Sequence, residues 1–176
     1  MMEDLSLHIM DIVTNSVRAG AKHILIAIEK DEKKSMMRLE VSDDGHGMDA
    51  ETAMKVQDPF FSTKKGRKVG LGVPLLKGTA ETTGGSFTLD SAKGRGTSIV
   101  ATFDSQHPDL PPLGNIRDTF FVLVVGHPDI DFDLRYRVDG KDFSLDTAEW
   151  RKELDGIPLN HPEVIGFLSK YLDEHL

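Results

Sequence analysis

The chain has no cysteine, which excludes disulfides, thiolate metal ligands and thiol nucleophiles. It has no basic excess: 21 Lys and Arg stand against 29 Asp and Glu, a net charge of −8. General affinity for nucleic acid is therefore not expected, because nothing is in surplus to neutralise phosphates. No apolar run approaches the roughly 20 residues that span a bilayer, and the N-terminus, MMEDLSLHIM, lacks the apolar core of a secretory signal. The seven His residues never fall in a His-x-x-x-His pair, so zinc is not expected. Repeats and low-complexity segments are absent too. What remains is a chain of 176 residues, 39% hydrophobic, enough for one cored domain with an appendage. It reads as a soluble cytoplasmic protein.

The pattern along the chain divides it. A helix is predicted over 7–19, with Ser6 as N-cap and Gly20 as stop. Ile9, Ile12, Val13, Ser16 and Val17 mark its buried face, while His8, Asp11, Asn15 and Arg18 form a polar ridge. Alternation at Ile24, Ile26 and Ile28, and again at Met37, Leu39 and Val41, predicts two strands. A glycine-rich loop occupies 42–48, and a short helix capped by Asp49 follows it. Residues 58–72 form a long loop with a basic run, Lys64, Lys65, Arg67 and Lys68. A helix over 73–83 carries Pro74 in its first turn. Strands are expected at 86–90 and 97–103. The stretch HPDLPPLGN at 107–115 has three prolines in nine residues and reads as part of a linker. Beyond it the pattern predicts an apolar strand over 119–125, then a hairpin about Asp139-Gly140, then two helices.

Three elements carry chemistry. In SDDGHGM at 42–48, an aspartate ends a strand, and glycines stand two and four places later. Asp43 can accept a hydrogen bond from an amine such as adenine N6, and Gly45 and Gly47 let backbone approach a flat ligand. An ordinary turn fits the same letters; a calcium loop does not complete its pattern. In VGLGVP at 69–74, Gly70, Leu71 and Gly72 run into a helix, where free N–H groups suit a phosphate chain. No Gly-Lys-Ser/Thr follows, and Leu75 stands where a dinucleotide fold needs its third glycine, so neither of the two best-known phosphate loops is present. A plain hinge is the alternative. On the first helix, Asn15 offers an amide oxygen to magnesium, Asp11 a carboxylate to water, and Arg18 a guanidinium to phosphate. A solvated helix face is the alternative there.

Taken in order, these elements resemble the GHKL superfamily of histidine kinase-like ATPases. DIVTNSVRAGAKHILIAIE at 11–29 is similar to the N-box, with wording close to MutL. DDGHGM at 43–48 resembles the first glycine box. DPFFSTKKGRKVGLGVPLLKGTAETTGG at 58–85 resembles the F-box, lid and second glycine box of sensor kinases. GRGTSIVATF at 94–103 resembles the last glycine box. The wording of the whole chain is also similar to small stand-alone ATP-binding proteins of anaerobic bacteria. The resemblance implies an α+β fold of the Bergerat type: a two-layer sandwich of a mixed, mostly antiparallel sheet with helices on one face. A small β-hairpin and helix appendage follows. It implies ATP and Mg2+ as cofactors, with Asn15 on the metal and Asp43 on the adenine beside Gly45 and Gly47. Gly70, Leu71 and Gly72 then lie along the phosphates, Thr97 supports Asp43, and Lys64 of the lid and Arg18 reach phosphate.

The hydrolysing members carry glutamate four residues before the N-box asparagine; here it is Asp11, one methylene shorter, as a candidate general base. Too few residues precede the helix for the phospho-accepting hairpin of a sensor kinase, which leaves His8 as a substitute acceptor to consider. The expected organisation is a nucleotide domain over 1–104, a linker over 105–117, and an α/β appendage over 118–176 packed on it. The expected function is a stand-alone protein kinase or slow ATPase acting on a separate protein partner or phospho-acceptor. The alternative is a non-catalytic, nucleotide-gated regulatory module. An ATP-gated clamp is disfavoured by the short second segment, although a homodimer is compatible with the resemblance. No nucleic-acid or membrane partner is expected.

Overall fold

A computed structural model describes residues 3–60 and 71–176. One six-stranded sheet organises them. Its strands are β1 (His23–Asp31), β2 (Met36–Asp43), β3 (Phe87–Ala92), β4 (Gly96–Asp104), β5 (Asp131–Val138) and β6 (Lys141–Asp146). Their order across the sheet is β3-β4-β2-β1-β5-β6. Every neighbouring pair is antiparallel except β1 and β5, which run parallel. The sheet is therefore mixed and mostly antiparallel, and the fold is α+β.

The helices are α1 (Leu5–Arg18), α2 (Ala50–Lys55), α3 (Gly72–Thr82), α4 (Ile116–Gly126), α5 (Thr147–Leu154) and α6 (Pro162–His175). The core lies between the sheet and these helices. Ile24, Ile26 and Ile28 of β1, Leu39 and Val41 of β2, Ile99 and Phe103 of β4, and Phe132 and Leu134 of β5 alternate into it. Ile9, Ile12 and Val13 of α1 meet them from above, with Leu76 of α3 and Phe120 of α4. The other side of each strand is mainly polar, with Arg38, Glu40 and Ser42 on β2 and Asp133, Arg135 and Arg137 on β5. Among the described residues no helix is long and apolar enough to cross a membrane.

Two local expectations are corrected. Asp4, not Ser6, caps α1: its carboxylate accepts the Leu7 N–H at 3.0 Å, and Ser6 Oγ donates to the same oxygen. The N–H groups of Leu5 and Ser6 go to the carbonyls of Pro112 and Leu113, so the proline-rich stretch closes the start of α1. The predicted strand at 119–125 is instead helix α4. FFVLVV at 120–125 is apolar at every position, so its period is illegible, and its β-branched and aromatic letters favour a strand on propensity alone. Tertiary packing overrides that. Ile116, Thr119, Phe120, Leu123 and Val124 are buried at helical spacing, and Asn115 caps the helix through the Asp118 N–H at 2.9 Å.

Candidate functional site

The site is built where the ends of β2 and β4 meet the C-terminal half of α1. Asp43 is the last residue of β2 and pairs in register with Thr97 of β4. Alternation turns both toward the helices, in the row of Val41 and Ile99. Two donors hold the Asp43 carboxylate. Ser16 Oγ donates to Oδ2 at 2.6 Å, and the Gly45 N–H donates to Oδ1 at 2.8 Å. A carboxylate has about four lone-pair sites, so it retains acceptor capacity for an incoming amine. Thr97 Oγ1 shares a 2.8 Å hydrogen bond with Ser91 Oγ, and Ser91 Oγ in turn accepts the Met48 N–H at 2.9 Å. The loop after Asp43 and the β3–β4 hairpin are thereby tied together.

The two glycines of the loop are required by close backbone contacts. A Cβ on Gly45 would lie 2.8 Å from Ala19 Cβ, just past the end of α1. One on Gly47, whose φ is +67°, would lie 2.0 Å from the Ala92 carbonyl oxygen. The His46 N–H donates to Ala19 O at 2.8 Å and the Gly94 N–H donates to His46 O at 2.7 Å, so the loop is fastened on both flanks. A depression of about 210 Å³ beside it is lined by strand and hairpin residues alone, among them Ser42, Asp90 and Ser98 of the sheet face turned away from the helices. That is below the ~300–1,000 Å³ of pockets for drug-sized ligands.

Of the polar ridge of α1, Asp11 faces the start of α3. Asn15 and Arg18 are exposed, and Asp11 is half-buried. A Cβ on Gly72 would lie 2.0 Å from Asp11 Oδ2, so α3 begins directly against this carboxylate. Leu71 precedes α3 and supplies no side-chain cap to it. The structure thus brings Asp11, Asn15, Asp43, Gly45, Gly47, Leu71, Gly72 and Thr97 to one end of the α1, β2 and α3 assembly. Lys64 and Gly70 lie outside the described residues.

His8 behaves differently from the rest of its ridge. It is 2% exposed, and among the described residues its buried Nδ1 has no hydrogen-bond partner. Burial lowers its pKa from the ordinary 6.5, against the opposing pull of Asp11 and Asp4. A ring buried in this way is out of reach of a phosphoryl donor, so it is a poor substitute acceptor. Sequence reasoning missed Ser16 and Ser91. Ser16 was legible only as part of the buried stripe of α1; a hydroxyl in an otherwise apolar stripe was the available signal.

Comparison with known proteins agrees with this geometry. Residues 3–107 match the family described as histidine kinase-, DNA gyrase B- and HSP90-like ATPase. That is more than half of the chain, and the chain belongs to this family. An uncharacterised sensor-like histidine kinase of Rhizobium meliloti is 31% identical over 102 residues, covering 55% of this chain and 19% of its own length. The sensor histidine kinase WalK of Bacillus subtilis is 28% identical over 108 residues, covering 57% of this chain and 18% of its own length. The chain thus spans about a fifth of the length of these curated relatives. Among solved structures, the Aquifex aeolicus MutL ATPase domain complexed with ADP superposes with a TM-score of 0.53 at 15% identity. It covers 88% of this chain and 68% of that one. The N-terminal domain of a DNA repair protein gives 0.55 at 16% identity, covering 82% and 53%. At such identities the likeness concerns the fold. Together these place an ATPase domain of the histidine kinase type in the chain, and family membership implies ATP binding.

Proposed function

We propose that the chain binds Mg-ATP and acts on a separate protein partner as a kinase or slow ATPase. Residues 1–104 would hold the nucleotide, and 118–176 would present a surface to the partner. The supporting observation is the Asp43 carboxylate, held by Ser16 and Gly45 at a strand end beside Thr97 and below the ridge that carries Asn15. In this reading Asp43 accepts the adenine amine and Thr97 supports it. Gly72, with Gly70, leaves backbone open along the phosphates, and the start of α3 favours their charge. Arg18 and Lys64 reach phosphate.

The donor set fits magnesium. Among the described residues there is no cluster of three or more His, Asp or Glu that would hold a metal alone. A magnesium ion carried by nucleotide phosphates needs only one or two protein oxygens, and the exposed Asn15 amide offers one. When bound, the ion neutralises phosphate charge. The chain's own task is then to orient the phosphates and, through Asp11, to take a proton from water or from an acceptor hydroxyl.

A second reading, a nucleotide-gated regulatory module without turnover, is favoured by one contact. The Asp11 carboxylate lies against Gly72 at the start of α3, and the side chain is one methylene shorter than the glutamate of hydrolysing members. Calorimetry with ATP, paired with phosphate release and with label transfer from γ-labelled ATP to candidate partner proteins, separates the two. Asp43→Asn should weaken ATP binding at least tenfold, by placing an amide donor against the adenine amine, with the fold unchanged. Unchanged affinity would sink the adenine assignment. Tight binding with no turnover above an Asn15→Ala control would favour the regulatory reading.

A further inference from the structure

The residue after the proposed adenine-binding aspartate is also an aspartate. Asp44 Oδ1 accepts two backbone N–H groups at the entrance to β1, from Lys22 at 2.7 Å and from His23 at 2.9 Å. The Asp44 N–H returns a bond to His23 O at 3.3 Å. Its other oxygen, Oδ2, lies 4.0 Å from His23 Nδ1. One side chain therefore closes the nucleotide loop onto the connection between α1 and β1. Burial pushes the Asp44 carboxyl up, but the hydrogen bonds from His23 and Lys22 outweigh it and hold the group below the ordinary 3.8. The anchored form is thus the charged one.

The same connection meets the loop at two further points. Its Ala19 carbonyl accepts the His46 N–H, and Ala19 Cβ fills the space beside Gly45. Ser16, one turn earlier, holds Asp43 itself. Asp43 is thus flanked by a residue whose carboxylate aims at fixed backbone donors. We infer that Asp44 is a positioning residue: it fixes the direction of the Asp43 carboxylate through the peptide they share, and so sets nucleotide affinity without touching the nucleotide. This rests on the reading of Asp43 given above. The Asp44 anchor is half-exposed, so the Lys22 and His23 N–H groups can turn to water when it is removed. Removal should therefore cost little folding stability and more binding precision.

The test compares the whole chain with Asp44→Ala and Asp44→Asn. Nucleotide affinity is measured by calorimetry with ADP, and amide exchange at Gly45 and His46 is measured without nucleotide. Asp44→Ala should bind about tenfold more weakly and exchange faster at both amides, with the melting temperature nearly unchanged. Asp44→Asn keeps an oxygen acceptor at the same reach and should restore affinity to about twofold of the unmodified chain and restore slow exchange. Where Asp44→Ala does not fold, Asp44→Gln takes its place, since its longer amide misplaces the acceptor and the same ordering is expected. Full affinity in Asp44→Ala, or an Asp44→Asn as weak as Asp44→Ala, overturns the inference. If the unmodified chain binds no ADP, the functional reading fails, and the exchange rates still decide whether Asp44 holds the loop.

Discussion

Ser16 shows how much one hydroxyl decides in this molecule. It is buried on α1, it reaches Asp43 at 2.6 Å, and the acceptor is a carboxylate oxygen. Hydrogen bonds to charged groups are worth about 1.5–3 kcal/mol. Ser16→Ala should therefore weaken nucleotide binding by about tenfold and lower stability by about 1–2 kcal/mol. Titration calorimetry alongside urea denaturation checks both, and unaltered affinity would show that Asp43 needs no support from α1. His8 has a different consequence. Its folded-state pKa is lowered, so below the ordinary value of 6.5 the unfolded chain binds more protons than the native state. Stability contributed by neutral His8 is present above that value and is lost as pH falls below it. His8→Leu should shrink the drop in melting temperature between about pH 7.5 and about pH 5.5. An equal drop in both proteins would assign the acid sensitivity elsewhere.

At the scale of elements, the start of α1 depends on a segment more than a hundred residues away. The carbonyls of Pro112 and Leu113 take the first N–H groups of the helix, and Gly114 lies against the Asp4 cap. Gly114 has φ +83°, and a Cβ there would fall 2.5 Å from Asp4 Cγ and 2.6 Å from Ser6 Oγ. Gly140 has a similar φ of +81° with nothing within 4 Å. Both Ala substitutions incur the backbone strain of about 1–2 kcal/mol, and only Gly114→Ala also displaces the cap. Gly114→Ala should therefore be the more destabilising by about 1 kcal/mol in chemical denaturation. Equal losses would mean that the cap tolerates displacement. The element that misleads most is α4. Residues 120–125 read as a strand because no polar position among them marks a face. Its helical state is set by Phe120 and Leu123 packing into the shared core and by the Asn115 cap.

At the scale of the whole molecule, the parallel pairing of β1 with β5 makes one sheet out of two stretches of sequence. The register runs from His23 opposite Asp131 to Glu29 opposite Arg137. Phe132 lies fully buried in that seam, and its N–H donates to the buried Thr147 Oγ1 at 2.8 Å. Phe132→Ala should cost about 3–5 kcal/mol. Because the seam joins both halves, the chain should still melt in one transition, with tryptophan fluorescence from Trp150 and far-ultraviolet circular dichroism coinciding. Two separated transitions would mean that β5 and β6 form an independent unit. Arg151, which donates to Asp131 Oδ1 at 2.6 Å and to Ile130 O at 2.9 Å, fastens α5 to the same seam.

The sequence by itself determined the family and the identities at the centre of the candidate site. Asp43, Gly45 and Gly47 are legible because a strand end followed by spaced glycines is a local pattern, and Asn15 because helical spacing is local too. The hairpin about Asp139-Gly140 was legible for the same reason. The tertiary structure decided what depends on contacts distant in sequence. It chose Ser16 as the support of Asp43, since a hydroxyl in a buried stripe declares no partner until β2 is packed beneath it. It buried His8, turned an all-apolar run into α4, and used the proline-rich stretch as the cap of α1. Propensity and periodicity act over a few residues, whereas each of these outcomes was settled by a neighbour tens of residues away.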